Sequence, residues 1–211
     1  MLANVVLISQ LLAPVLGLIV FSAIGRSAAP FAAFVLALLA YWAYLASVTT
    51  AVAIKDPSLA ARLRALSGPS KSPAFGALAF VPVLGVLFVA FVPAVGELRA
   101  TTFLAAAAVG VVNGAVEEIY WRGVTLAVAE GRNKWVRYVA AATLFTIFHF
   151  AFLRLGLDYE GGALALVGGA GVMGALWTLV AVKTESLRPS IVAHQLVNAL
   201  AFSSLFANNG L

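Results

Sequence analysis

Polar and charged positions fall in short clusters, and between them run apolar stretches long enough to cross a bilayer. Seven are legible: Leu2 to about Ile24, Pro30 to about Ala53, Pro73 to about Val95, Ala100 to Ala129, Trp135 to about Phe152, Ala163 to Val182, and Ser190 to about Phe206. A spanning helix needs about 20 predominantly apolar residues. A membrane β-barrel needs alternating strands of about ten residues instead, and these runs do not alternate. The expected fold is an all-α polytopic transmembrane bundle of about seven to eight spans enclosing a buried polar site. It is read as one domain over 1–211, without repeats or low-complexity tracts. The eighth span arises if the long fourth stretch breaks near Gly123 into a span and a short extra helix.

The connections refine this picture. No basic residues precede the first stretch, which is interrupted by Gln10 and Pro14, so it reads as a retained span rather than a cleaved signal. Tyr41, Trp42 and Tyr44 sit in the second half of the second stretch and read as helix packing. Lys55 to Ser72 is the longest polar connection. Within it Ser58 is expected to cap a helix running Leu59 to Leu66, apolar on one side and basic on the other, which suits an anionic membrane surface.

Composition agrees: 63% of residues are hydrophobic and 10% charged, against about a quarter charged in soluble domains. The net charge of +5 is a matter of topology rather than of nucleic-acid binding, because nine of the thirteen basic residues fall in loops 55–72, 130–137 and 183–188. By the positive-inside rule those loops are cytoplasmic, which puts the N-terminus inside and, for seven spans, the C-terminus outside. With no cysteine, disulfides, thiol catalysis and cysteine metal sites are excluded.

Candidate chemistry lies where charge is least expected. Asn113 to Gly123 sits inside the fourth stretch and carries Glu117, Glu118 and Arg122. A charged group at mid-membrane costs at least about 2.5–3.5 kcal/mol, so these need partners or a task. On a helix Glu118 and Arg122 share a face in the favourable order, while Glu117 lies about 100° round, on the stripe of Asn113 and Trp121. The arginine can hold one carboxylate and leave the other to face a cavity. Both histidines are also intramembrane: His149, with Phe145 one turn back, in the fifth stretch, and His194, four residues before Asn198, in the seventh. Ionisable groups in spans converge on the bundle interior, so the three segments are expected to share one site. Gly110 and Gly114 continue the Glu118–Arg122 stripe and let helices approach closely. Gly169, Gly171 and Gly174 spell a dinucleotide fingerprint, but inside an apolar helix with no preceding strand, and read as close-packing residues too.

In chain order, Glu-Glu-x-x-x-Arg (Glu117, Glu118, Arg122), Phe-x-x-x-His (Phe145, His149) and His-x-x-x-Asn (His194, Asn198) resemble the CPBP family. These are the CAAX prenyl proteases and bacteriocin-processing enzymes, also called the Abi family. The resemblance covers roughly Gly110 to Phe202. It implies an intramembrane endopeptidase without a metal, in which Glu117 activates water, His149 holds that water and shuttles its proton, and His194 and Asn198 donate to the oxyanion. Glu118, Arg122 and Phe145 are supporting residues. The implied partner is a membrane-anchored or lipidated peptide substrate in the bilayer. The expected setting is a prokaryotic cell membrane, with the site opening to the cytoplasm. Two alternatives stay open: a zinc peptidase with Glu117 or Glu118, His149 and His194 as ligands, and a non-catalytic scaffold or proton-coupled transporter.

One count sits awkwardly with a shared site. At about 1.5 Å per residue, His194 lies about 8 Å and His149 about 21 Å below the cytoplasmic ends of their spans. Glu117 lies at about 8 Å if its span ends near Gly123, or about 18 Å if it runs to Ala129.

Overall fold

The structure, a computed structural model, describes residues 2–129 and 134–210. The chain begins with α1 (Leu2–Ser27) and α2 (Pro30–Lys55), followed by the short α3 (Pro57–Leu66). Then come α4 (Pro73–Glu97), α5 (Ala100–Val128), α6 (Trp135–Leu155), α7 (Gly162–Thr184) and α8 (Arg188–Asn208). All but α3 are long and apolar enough to cross a membrane. No strand occurs among the described residues. The chain is an all-α, multi-pass membrane bundle. Its outward faces are apolar, with Ile19, Leu84, Phe88 and Leu164 among the exposed side chains.

The fourth span does not break at Gly123. It continues to Val128 through a π-helical turn, Ile119–Val124, which begins directly after Glu118. Such wide turns in α-helices are frequent at functional sites. Here Tyr120, Trp121 and Arg122 are all buried side by side, because α1, α2, α3 and α6 surround this part of α5.

α8 lies along α5 in the opposite direction, and glycines seat it. A Cβ at Gly114 would come within 2.7 Å of the Gln195 nitrogen, and one at Gly110 within 2.6 Å of the Ala199 nitrogen. In the other glycine run the tight position is Gly174, whose Cβ would meet Phe145 at 3.0 Å and Arg122 Nη2 at 3.2 Å. Gly169 has only Met173 of its own helix nearby, so the close-packing expectation fails there.

Contacts at the two ends settle the topology. At one end Arg137 donates to the Ala3 carbonyl at 2.9 Å, and Lys71 pairs with Glu185 at 2.6 Å. α3 joins this end through Leu59, which packs with Val6, Val52, Val124 and Ala127. At the other end the Asp158 amide donates to Asn209 at 3.0 Å, and Asn208 donates to Glu160 at 2.9 Å. The described basic loops thus gather beside the N-terminus, with the C-terminal helix ending on the opposite side. The Glu130–Asn133 part of the fourth connection lies outside the described residues.

Two local expectations change. The cap of α3 is Asp56, not Ser58: its carboxylate accepts from the Ser58 and Leu59 amides, and Pro57 occupies the first helical position. Aspartate followed by proline is a strong helix start. The apolar side of α3 also rests on protein rather than on a leaflet.

The depth mismatch disappears for a related reason. The Leu187 amide donates to the Leu66 carbonyl at 2.8 Å, and Ser186 Oγ to that of Gly68 at 2.7 Å. This tucks the start of α8 beneath α3. Leu187 consequently stands against Gly123, more than a turn short of the end of α5. His194 and Glu117 are then at the same level, although they are different distances from their own helix ends.

Candidate active site

α5 and α8 supply the centre. Glu118 Oε1 accepts from Arg122 Nη1 at 2.9 Å and lies 2.9 Å from His194 Nδ1. Glu117 Oε2 accepts from Asn113 Nδ2 at 3.0 Å and lies 3.2 Å from His194 Nε2. His194 therefore bridges the two glutamates. A carboxylate can only accept, so an imidazole held at both nitrogens by carboxylates supplies two N–H groups. Two carboxylates, one guanidinium and one imidazolium have no net charge, the condition under which buried charge is tolerated. Glu118 and Arg122 are 0% and 1% exposed, so this balance is needed.

α6 and α7 wall the set. The Phe145 ring carries the Arg122 guanidinium on its face at 4.2 Å. It meets His149 edge-on at 4.6 Å and His194 at 6.1 Å. Trp177 lies 4.3 Å from the His194 ring and is anchored by donating to the Ala79 carbonyl. Thr178 accepts from Arg122 Nε at 3.4 Å.

His149 is half-buried, with Nδ1 2.8 Å from the Phe145 carbonyl. A carbonyl accepts, so the hydrogen is on Nδ1 and the neutral ring offers Nε2 as an acceptor. His149 stands within electrostatic range of the Glu117 carboxylate. Glu117 Oε1 and Asn198 Nδ2 are buried without a hydrogen-bond partner among the described residues. They put a free acceptor on one of the paired helices and a free donor on the other.

The structure gathers Glu117, Glu118, Arg122, Phe145, His149 and His194 around one point, with Asn198 one turn along α8. The sequence reading missed the contribution of α2. Trp42 Nε1 donates to Asn113 Oδ1 at 2.8 Å, Trp121 Nε1 donates to Tyr41 Oη at 2.8 Å, and Tyr41 stands beside the Glu117 carboxylate. The available signal was the polar tip each aromatic carries, which needs a partner when buried. Among the described residues no three histidine or acidic side chains are placed to hold a metal ion.

Acid, base and guanidinium groups from three spanning helices, enclosed mid-bundle, define the class: a polytopic membrane protein with an intramembrane acid–base site. Residues 99–200, just under half of the chain, match the family described as Type II CAAX prenyl endopeptidase Rce1-like. Over that stretch the chain is similar to a family of proteases, and with the seven apolar helices this supports a CAAX-protease-type membrane protein. No curated protein and no solved structure matches it.

Proposed function

We propose that the protein is a glutamate-type intramembrane endopeptidase, hydrolysing a peptide bond close to a membrane-anchored or lipidated terminus. The family is described by its prenyl endopeptidase activity, and the substrate proposed here is a lipidated peptide of that kind. The observation that carries the reading is the unequal use of two adjacent buried glutamates. Each keeps one oxygen without a partner among the described residues, Glu117 Oε1 and Glu118 Oε2, but Glu118 is paired with the Arg122 guanidinium, whereas Glu117 has no arginine and lies within electrostatic range of His149.

Water is held between Glu117 Oε1 and His149 Nε2. Its oxygen adds to the peptide carbonyl carbon and its proton passes to Glu117. Asn198 Nδ2 donates to the oxyanion. His194 Nε2–H, only loosely held by Glu117 at 3.2 Å, becomes the second donor once that carboxylate is protonated and accepts more weakly. The C–N bond then breaks, and the leaving nitrogen takes the proton from Glu117, with His149 as the shuttle.

We propose further that no metal takes part. This is supported by the donor set: both His194 nitrogens face carboxylates, and His149 Nδ1 faces a carbonyl. A chelator should leave cleavage unchanged; loss of activity restored by zinc would transfer the same residues to a metal mechanism. The site is proposed to open toward the side bearing the basic loops, taken as the cytoplasm. Mass spectrometry of peptides released in native membranes tests the function. Truncated products present with wild type and absent with Glu117→Ala are expected; identical products from both would overturn it.

A further inference from the structure

Two polar aromatic tips of α2, Tyr41 and Trp42, lie outside the residues that match the family, yet both lead to the proposed base, Trp42 through Asn113. Trp42 holds Asn113 through its Oδ1, and this turns the Asn113 amide hydrogens toward Glu117 Oε2. Tyr41 Oη takes the Trp121 indole hydrogen, so its own hydrogen is free to point elsewhere, and the acceptor beside it is the Glu117 carboxylate. Tyr41 is 3% exposed, so no bulk water competes for that hydrogen. Its ring stacks on Phe148 at 4.0 Å, next to His149. Hydroxyl and ring together place Tyr41 between the glutamate and the helix that carries the water-holding histidine.

We propose that Tyr41 is a positioning residue for Glu117, and that Trp42 acts with it through Asn113. The carboxylate is then set by two aromatic side chains from α2 as well as by its own helix and α8. Tyr41 fixes the plane of the carboxylate so that Oε1 faces the water, and touches neither water nor substrate itself. The inference rests on Glu117 being the base. It makes the second span part of the working site, although no motif marks it.

The test uses the full chain in lipid vesicles with a fluorophore-labelled, farnesylated Cys-a-a-X peptide. Tyr41→Phe keeps the stack on Phe148 and removes only the hydroxyl. Removing the hydroxyl that stands beside the charged carboxylate predicts a fall in kcat of about 10- to 100-fold, with KM within about twofold and the acid limb of the pH profile displaced. Trp42→Phe should act in the same sense and more weakly. A second readout needs no turnover: the infrared difference spectrum between wild type and Tyr41→Phe should contain a carboxylate band that vanishes when both proteins also carry Glu117→Gln. An unchanged kcat, or a carboxylate region insensitive to Tyr41→Phe, overturns the inference. A Glu117-dependent band alongside a fully active Glu117→Gln enzyme leaves the contact in place and overturns the catalytic reading instead.

Discussion

Replacing Gly114 by alanine adds one methyl group at the point where α8 lies closest to α5. The new Cβ would sit 2.7 Å from the Gln195 nitrogen and 3.0 Å from the His194 carbonyl carbon, both backbone atoms. Backbone cannot turn aside as a side chain can, so α8 must retreat by about 0.7 Å to restore ordinary van der Waals contact. The 2.9 Å contact between His194 and Glu118 then opens to about 3.6 Å, beyond hydrogen-bond range. Overpacking costs about 1–3 kcal/mol, while alanine returns about 1 kcal/mol of helix propensity over glycine. The net loss of stability is therefore modest. Activity should suffer more, by about 100-fold, since small displacements of a catalytic group cost that much. The control is Gly85→Ala on α4, where a Cβ meets nothing within 4 Å. Thermal unfolding by tryptophan fluorescence and peptide cleavage would be measured on both variants. Equal stability and equal activity in the two would show that the glycine contact does not set the geometry of the site.

Three other outcomes follow from the same contacts. Arg122→Met leaves Glu118 without its guanidinium and should destabilise by about 3–5 kcal/mol; adding Glu118→Gln should recover part of that loss, and an additive double variant would show that the ion pair is not coupled. Asn198→Ala removes a donor that has no partner among the described residues, so unfolding should barely change while kcat falls by about 10²–10³; an equal loss of both would make Asn198 structural. At α3 the Ser58 hydroxyl, followed by the Leu59 and Ser58 amides, holds the Asp56 carboxyl below its ordinary range. Because the folded-state value is depressed, the stabilisation is complete above the ordinary carboxylate range and is lost as pH falls through the depressed value. Amide exchange at Ser58 and Leu59, corrected for intrinsic rate, should therefore rise only in strong acid, and Asp56→Asn should abolish that rise.

What the sequence made legible was what one helix decides by itself. Hydropathy located all seven spans, and spacing alone put Glu118 with Arg122 and His149 under Phe145. Loop charge placed Lys71 and Glu185 at the same end. The unread parts depend on the register between helices. His194 bridges both glutamates because α8 starts beneath α3, a displacement set by the Leu187–Leu66 contact and by no local pattern. The π-turn after Glu118 has no local sequence mark either, and the unusual length of the fourth stretch suggested a break that does not occur. Tyr41 and Trp42 look like ordinary packing aromatics until Trp121 and Asn113 are seen opposite them.

The central claim is that Glu117, free at one oxygen and steered by its neighbours, activates the water that cleaves the substrate. Its most direct measurement is cleavage of a lipidated peptide by purified protein in vesicles, comparing wild type with Glu117→Gln. The substitution keeps size and hydrogen bonding but removes the base. The account predicts folded Glu117→Gln protein with cleavage lowered by at least about 10²-fold. A folded variant that cleaves at the wild-type rate would contradict it.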